Sequence, residues 1–176
     1  TKVVERGSAD RIFINTAGLG WIPDHVTLSP RKVRPGDKIL ISGSIGDHGM
    51  AILCQREGLE FETPIISDCA PLNGLVETIL HGHHEMRVMR DPTRGGLATA
   101  LVELAQDSGF GFEIEEKSIP VHEAVRAACE LLGLDPFYVA NEGKLIAIVS
   151  PQEAESALAT LQAHPLGHEA TLIGHV

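Results

Sequence analysis

The chain has 176 residues, 43% of them hydrophobic, and a formal net charge of -10. That length and apolar content suit one domain with a sizeable core, or one domain with part of another, and exclude a disordered chain. The acidic balance and the absence of any Lys or Arg cluster exclude a nucleic-acid surface or an anionic membrane as partner. The charged opening Thr1-Lys2-Val3-Val4-Glu5-Arg6 has no Met and no signal-peptide pattern, so it reads as the interior of a longer protein. Residues 11–17 have strand character, broken by Gly18-Leu19-Gly20, and residues 21–35 form a Pro-punctuated linker. A buried strand is predicted over 38–42. Gly43, Gly46 and Gly49 then lead into a helix over 47–57, capped by Asp47 and closed by Gly58. This glycine spacing matches neither nucleotide fingerprint and is read as turn chemistry.

Ser67-Asp68-Cys69-Ala70-Pro71-Leu72 is expected to start the next helix, with Ser67 or Asp68 as its cap, Cys69 as a small buried residue, and Leu72, Leu75, Val76 and Ile79 on one stripe. His81-Gly82-His83-His84-Glu85 reads as a solvated helix end, because no spaced thiol or carboxylate completes a metal shell. Cys54, Cys69 and Cys129 are odd in number and lack CxxC spacing, which argues against a disulfide framework or structural zinc and fits a reducing cytoplasm.

Residues 87–89 read as a strand end. Met89-Arg90-Asp91-Pro92-Thr93-Arg94-Gly95-Gly96 follows, then a helix with Leu97, Ala100, Leu101, Leu104 and Ala105 at helical spacing. Thr93 can cap this helix, and two glycines let a ligand approach the amides of its first turn. Arg94 adds a fixed positive charge and Asp91 a carboxylate. The plainer alternative is a strand-to-helix turn in which Asp91 and Arg94 pair with each other.

Phe110, Phe112 and Ile114 alternate with Gly111, Glu113 and Glu115 as a half-exposed strand. Pro120 opens a helix with Val121, Ala124, Val125, Ala128 and Leu131 inward, and its His122 reads as a surface residue. Asn141-Glu142-Gly143-Lys144 turns into an apolar strand over 145–149. Ser150-Pro151-Gln152-Glu153 is a capping box for a helix carrying Ala154, Ala157, Leu158 and Leu161, and Thr171, Leu172 and Ile173 make a last strand. Roughly six strands and five helices, mostly alternating, predict a mixed sheet with helices packed on it.

The opening residues 1–4, the Ser67 to Leu72 stretch, the Asp91 to Gly96 loop and the Asn141 to Lys144 turn, in that order, resemble the HypE family of hydrogenase maturation proteins. That family sits in the superfamily of aminoimidazole ribonucleotide synthetase, selenophosphate synthetase and thiamine-monophosphate kinase. The resemblance implies that residues 1–30 end an N-terminal ATP-binding domain and its linker, and that residues 31–176 are the C-terminal α+β domain. It implies an ATP-dependent carbamoyl dehydratase. A C-terminal cysteine accepts a carbamoyl group from a HypF-type carbamoyltransferase, and ATP-driven dehydration leaves thiocyanate, the source of cyanide for the nickel-iron centre. ATP with Mg2+, HypC/HypD-type scaffold partners and a homodimer belong to the same expectation. The chain lacks the acidic glycine motif before Thr1 and a cysteine-ended tail after Val176, so it reads as a fragment inactive alone.

Matched to the family's motifs, Lys2 and Glu142 are the expected bases that remove amide protons. Asp91, Thr93, Arg94, Gly95 and Gly96 are expected to line the cleft facing the ATP domain. The bland alternatives are a Glu142 paired with Lys144 and a Lys2 that is an ordinary surface cation. Another superfamily enzyme, or a docking module for hydrogenase-assembly partners, remains as a second reading.

Overall fold

The computed structural model describes residues 17–24, 26–59, 61, 63–82 and 85–176. Lys2, the opening motif, the body of the expected first strand, His83 and His84 lie outside the described residues.

Among the described residues five strands form one sheet: β1 (Lys38–Ile41), β2 (Met86–Arg90), β3 (Glu113–Ile114), β4 (Ile146–Val149) and β5 (Thr171–His175), in the order β2-β4-β1-β5-β3. Five α-helices accompany them: α1 (Asp47–Glu57), α2 (Asn73–Gly82), α3 (Gly96–Ser108), α4 (Glu123–Leu132) and α5 (Ala154–Gln162). The α+β class with helices on a sheet is as expected. The direction of the strands is not: every pairing among the described residues is antiparallel, where a mixed sheet was expected.

The physical reason lies in the two central strands. Successive side chains of a strand point to opposite faces. Ile39 and Ile41 of β1 and Ile146 and Ile148 of β4 pack with Leu97, Ala100, Leu101 and Leu104 of α3. Leu40, Ala147 and Val149 face the other way, against Leu75 and Ile79 of α2 and Ala154, Ala157 and Leu161 of α5. A sheet covered on both faces is written as continuous apolar strands, which is also the signature of a parallel sheet. A smaller third core, Met50, Cys54, Val125, Ala128 and Cys129, joins α1 to α4.

The predicted α1 matches its observed bounds, and Gly58 closes it in a left-handed conformation. Other boundaries moved. Asp47 is the first helical residue rather than the cap, which is Gly46. Thr93 caps nothing, because Gly95 occupies the N-cap of α3. Helix α2 begins at Asn73, and Cys69, expected to be buried, is exposed. Glu153 rather than Ser150 stands at the N-cap of α5, and its carboxylate accepts the Glu85 amide at 3.2 Å. The capping-box residues thus hold the entry to β2. Of the strand expected around Phe110 to Glu115, only Glu113–Ile114 pairs.

Two ion pairs of one arginine pin the sheet edge. Arg87 reaches Asp37 at 3.2 Å and Glu85 at 2.6 Å, with the Asp37 side chain only 2% exposed. Among the described residues no helix is long and apolar enough to cross a membrane.

Candidate active site

Three loops at strand and helix ends meet at Asn141, which is fully buried. Its side-chain amide donates to the carbonyl of Pro92 at 3.0 Å and to that of Val139 at 3.1 Å, and its Oδ1 accepts the Gly46 amide at 2.7 Å. Its backbone amide donates to Pro92 as well, at 3.2 Å. An asparagine is suited to this junction because it carries two donors and an acceptor on one short side chain. The Asp91 to Gly96 loop and the Asn141 to Lys144 turn are therefore neighbours, as the two expected site segments have to be. The loop carrying Gly43 and Gly46, with the first turn of α1 that follows it, is the third member. Its Gly49 amide donates to Ala140 at 3.0 Å, so this loop serves closure around residues 139–141.

Within the first loop, Asp91 and Arg94 are exposed, Thr93 and Gly95 partly buried and Gly96 buried. Gly96 has φ +64 and lies against the carbonyls of Phe137 and Val139, where a Cβ would collide. Its amide donates to the Thr93 carbonyl at 3.1 Å. That amide is committed to the turn.

Glu142 is 35% exposed and does not pair with Lys144. Its Oε1 lies 4.0 Å from Nε2 of His48. Lys144 turns instead to Asp68, Nζ to Oδ2 3.6 Å, both side chains being largely buried. Neither carboxylate oxygen of Asp68 has a hydrogen-bond partner.

A second cluster lies beside this turn and was missed at the level of sequence. The His122 ring nitrogens stand 2.7 Å from Asp47 and 3.1 Å from Glu169, and Ser44 donates to Asp47 at 2.6 Å. The hydrogen bond to Asp47 raises the His122 pKa above the ordinary imidazole value; burial opposes this and Glu169 adds to it. His122, Asp47, Glu169, Asp68 and Lys144 line one cavity of about 410 Å3. No spacing pattern links residues 47, 122 and 169, so only folding could reveal them.

The family described as AIR synthase related protein, C-terminal domain, matches residues 34–176. The chain belongs to that family. Within it, the chain is 58% identical to the carbamoyl dehydratase HypE of Rhizobium leguminosarum bv. viciae, over 100% of this chain and 51% of the relative. The fold superposes on the crystal structure of E. coli HypE with a TM-score of 0.91 at 47% identity, covering 99% of this chain and 54% of that one. It also matches HypE in a HypE–HypF complex, with a TM-score of 0.82 and 48% identity over 84% of this chain and 48% of that one. HypE in complex with ATP matches at 0.81 and 51% identity, over 84% and 44%. The chain spans about half the length of the curated relatives it matches.

Proposed function

We propose that this chain is the C-terminal part of a HypE-type carbamoyl dehydratase, in which residues 1–30 end the preceding ATP-binding domain. In the full-length protein ATP activates the oxygen of a carbamoyl group on a C-terminal cysteine, and loss of that oxygen leaves thiocyanate. The observation that carries this reading is the junction at Asn141, which brings the Asp91 to Gly96 loop and the Glu142 turn together in a chain 58% identical to a carbamoyl dehydratase.

Two protons must leave the carbamoyl nitrogen for the nitrile to form. Glu142, at the tip of a turn held by Asn141 and partly open to solvent, is the proposed base for one of them, and Lys2 is the second candidate base. Arg94 and Thr93 offer a cation and a hydroxyl on an open loop, a donor set that fits nucleotide phosphates. Among the described residues no group of three or more His, Cys, Asp or Glu could hold a metal ion. Mg2+ belongs to the proposal as the usual companion of ATP. A HypF-type carbamoyltransferase as donor of the group, HypC/HypD-type acceptors, a homodimer and a cytoplasmic location complete the proposal. The crystallised HypE–HypF and HypE–ATP complexes of relatives support the first partner and the nucleotide.

The test uses the full-length protein carrying this chain, carbamoylated by its transferase partner, with ATP-dependent loss of one water from the terminal cysteine followed by mass spectrometry. Glu142→Gln is expected to slow the dehydration by about 100-fold or more. Full activity of that variant would remove Glu142 from the mechanism.

A further inference from the structure

Glu142 stands on a turn that meets the segment Ser67-Asp68 in three ways. Lys144 pairs with the buried Asp68 carboxylate. Gly143 lies so close to the Asp68 carbonyl that a Cβ there would overlap it. The third link runs through His48, on the first turn of α1, whose Nδ1 is 2.9 Å from Ser67 Oγ while its Nε2 faces Glu142 at 4.0 Å.

We propose that His48, held by Ser67, is a positioning residue that aims the Glu142 carboxylate at its substrate. The proposal rests on the reading of Glu142 as a base. Ser67 Oγ accepts the Cys69 amide at 3.2 Å, and its own hydroxyl proton is available to donate to His48 Nδ1. A neutral imidazole that accepts at Nδ1 carries its proton on Nε2, the nitrogen turned toward Glu142. In that tautomer the N–H points at the carboxylate. Its 4.0 Å separation closes to a hydrogen bond by a small rotation of either side chain, or is bridged by one water. A glutamate side chain in partial contact with solvent otherwise samples several rotamers, and misplacing a base by 1 Å is costly in rate. The Asp68–Lys144 pair and the Gly143 contact hold the backbone of the turn against the same segment, so His48 has only the side chain of Glu142 to fix.

The test again uses the full-length carbamoylated protein and measures kcat and the KM for ATP. His48→Ala is expected to lower kcat by about 10-fold with KM unchanged. His48→Gln, whose amide N–H replaces that of Nε2, is expected to recover most of the loss. Ser67→Ala deletes one hydroxyl and is expected to give an intermediate kcat; it carries the test if His48→Ala does not fold. An unchanged kcat in His48→Ala, or a glutamine variant as impaired as the alanine one, overturns the proposal. A fully active Glu142→Gln removes both the base and its positioning, whereas an inactive one beside an unimpaired His48→Ala overturns the positioning alone.

Discussion

His122 shows how much a single side chain can gain from folding. As a sequence feature it was one imidazole near a helix start; in the fold it lies between Asp47 and Glu169. Its pKa is raised in the folded state, so the folded protein binds that proton more tightly than the unfolded chain does. The resulting stabilisation is fully present below the ordinary imidazole pKa and is lost as pH rises through the raised value. His122→Gln should therefore cost more stability at pH 5.5 than at pH 8.5, measured by urea denaturation at both. The side chain is 51% exposed, and solvent screening keeps the difference to about 0.5 kcal/mol. An equal cost at both pH values would mean that the ring contributes only through packing. Asn141 works without charge: removing its amide would leave the Gly46 N–H buried without this acceptor, while the Pro92 carbonyl would keep the Asn141 backbone N–H.

At the scale of elements, the start of α3 sets the geometry of the site. Residues Gly95 and Gly96 carry φ of +71 and +64, which turns the chain from β2 into the helix within one loop. A left-handed residue with a side chain costs about 1 to 2 kcal/mol, and a collision in a packed site adds a similar amount. Gly96→Ala should lose about 3 kcal/mol in chemical denaturation, because its Cβ would meet the Phe137 and Val139 carbonyls. Gly109, at the other end of the same helix, has φ +78 and open space around it, so Gly109→Ala should lose only about 1 kcal/mol. Equal losses would show that crowding at the loop is unimportant. Helix α2 teaches a different lesson about boundaries. Ser67 and Asp68 look like caps, yet Ser67 serves His48 and Cys69 while Asp68 faces Lys144, so the helix starts later, at Asn73.

For the whole molecule, the third core between α1 and α4 makes thiol labelling a probe of opening. Cys54 and Cys129 sit between α1 and α4 at 8% and 1% exposure, and burial pushes the Cys129 thiol pKa up. Cys69 is exposed. Native alkylation followed by mass spectrometry should mark Cys69 alone, with Cys54 and Cys129 reacting only in denaturant; prompt labelling of either would mean that the α1–α4 unit opens by itself. The periodicity of apolar residues by itself determined where the helices and the central strands lie, because burial selects residues at spacings of two and 3.6 wherever a chain meets a core. Local motifs likewise marked the Asp91 to Gly96 loop and the Glu142 turn. What only the tertiary structure decided was strand direction, since a strand buried on both faces has the same composition in either orientation. It also decided the partners of His48, Asp68, Lys144 and His122, since a contact between residues far apart in the chain leaves no spacing for a sequence to display.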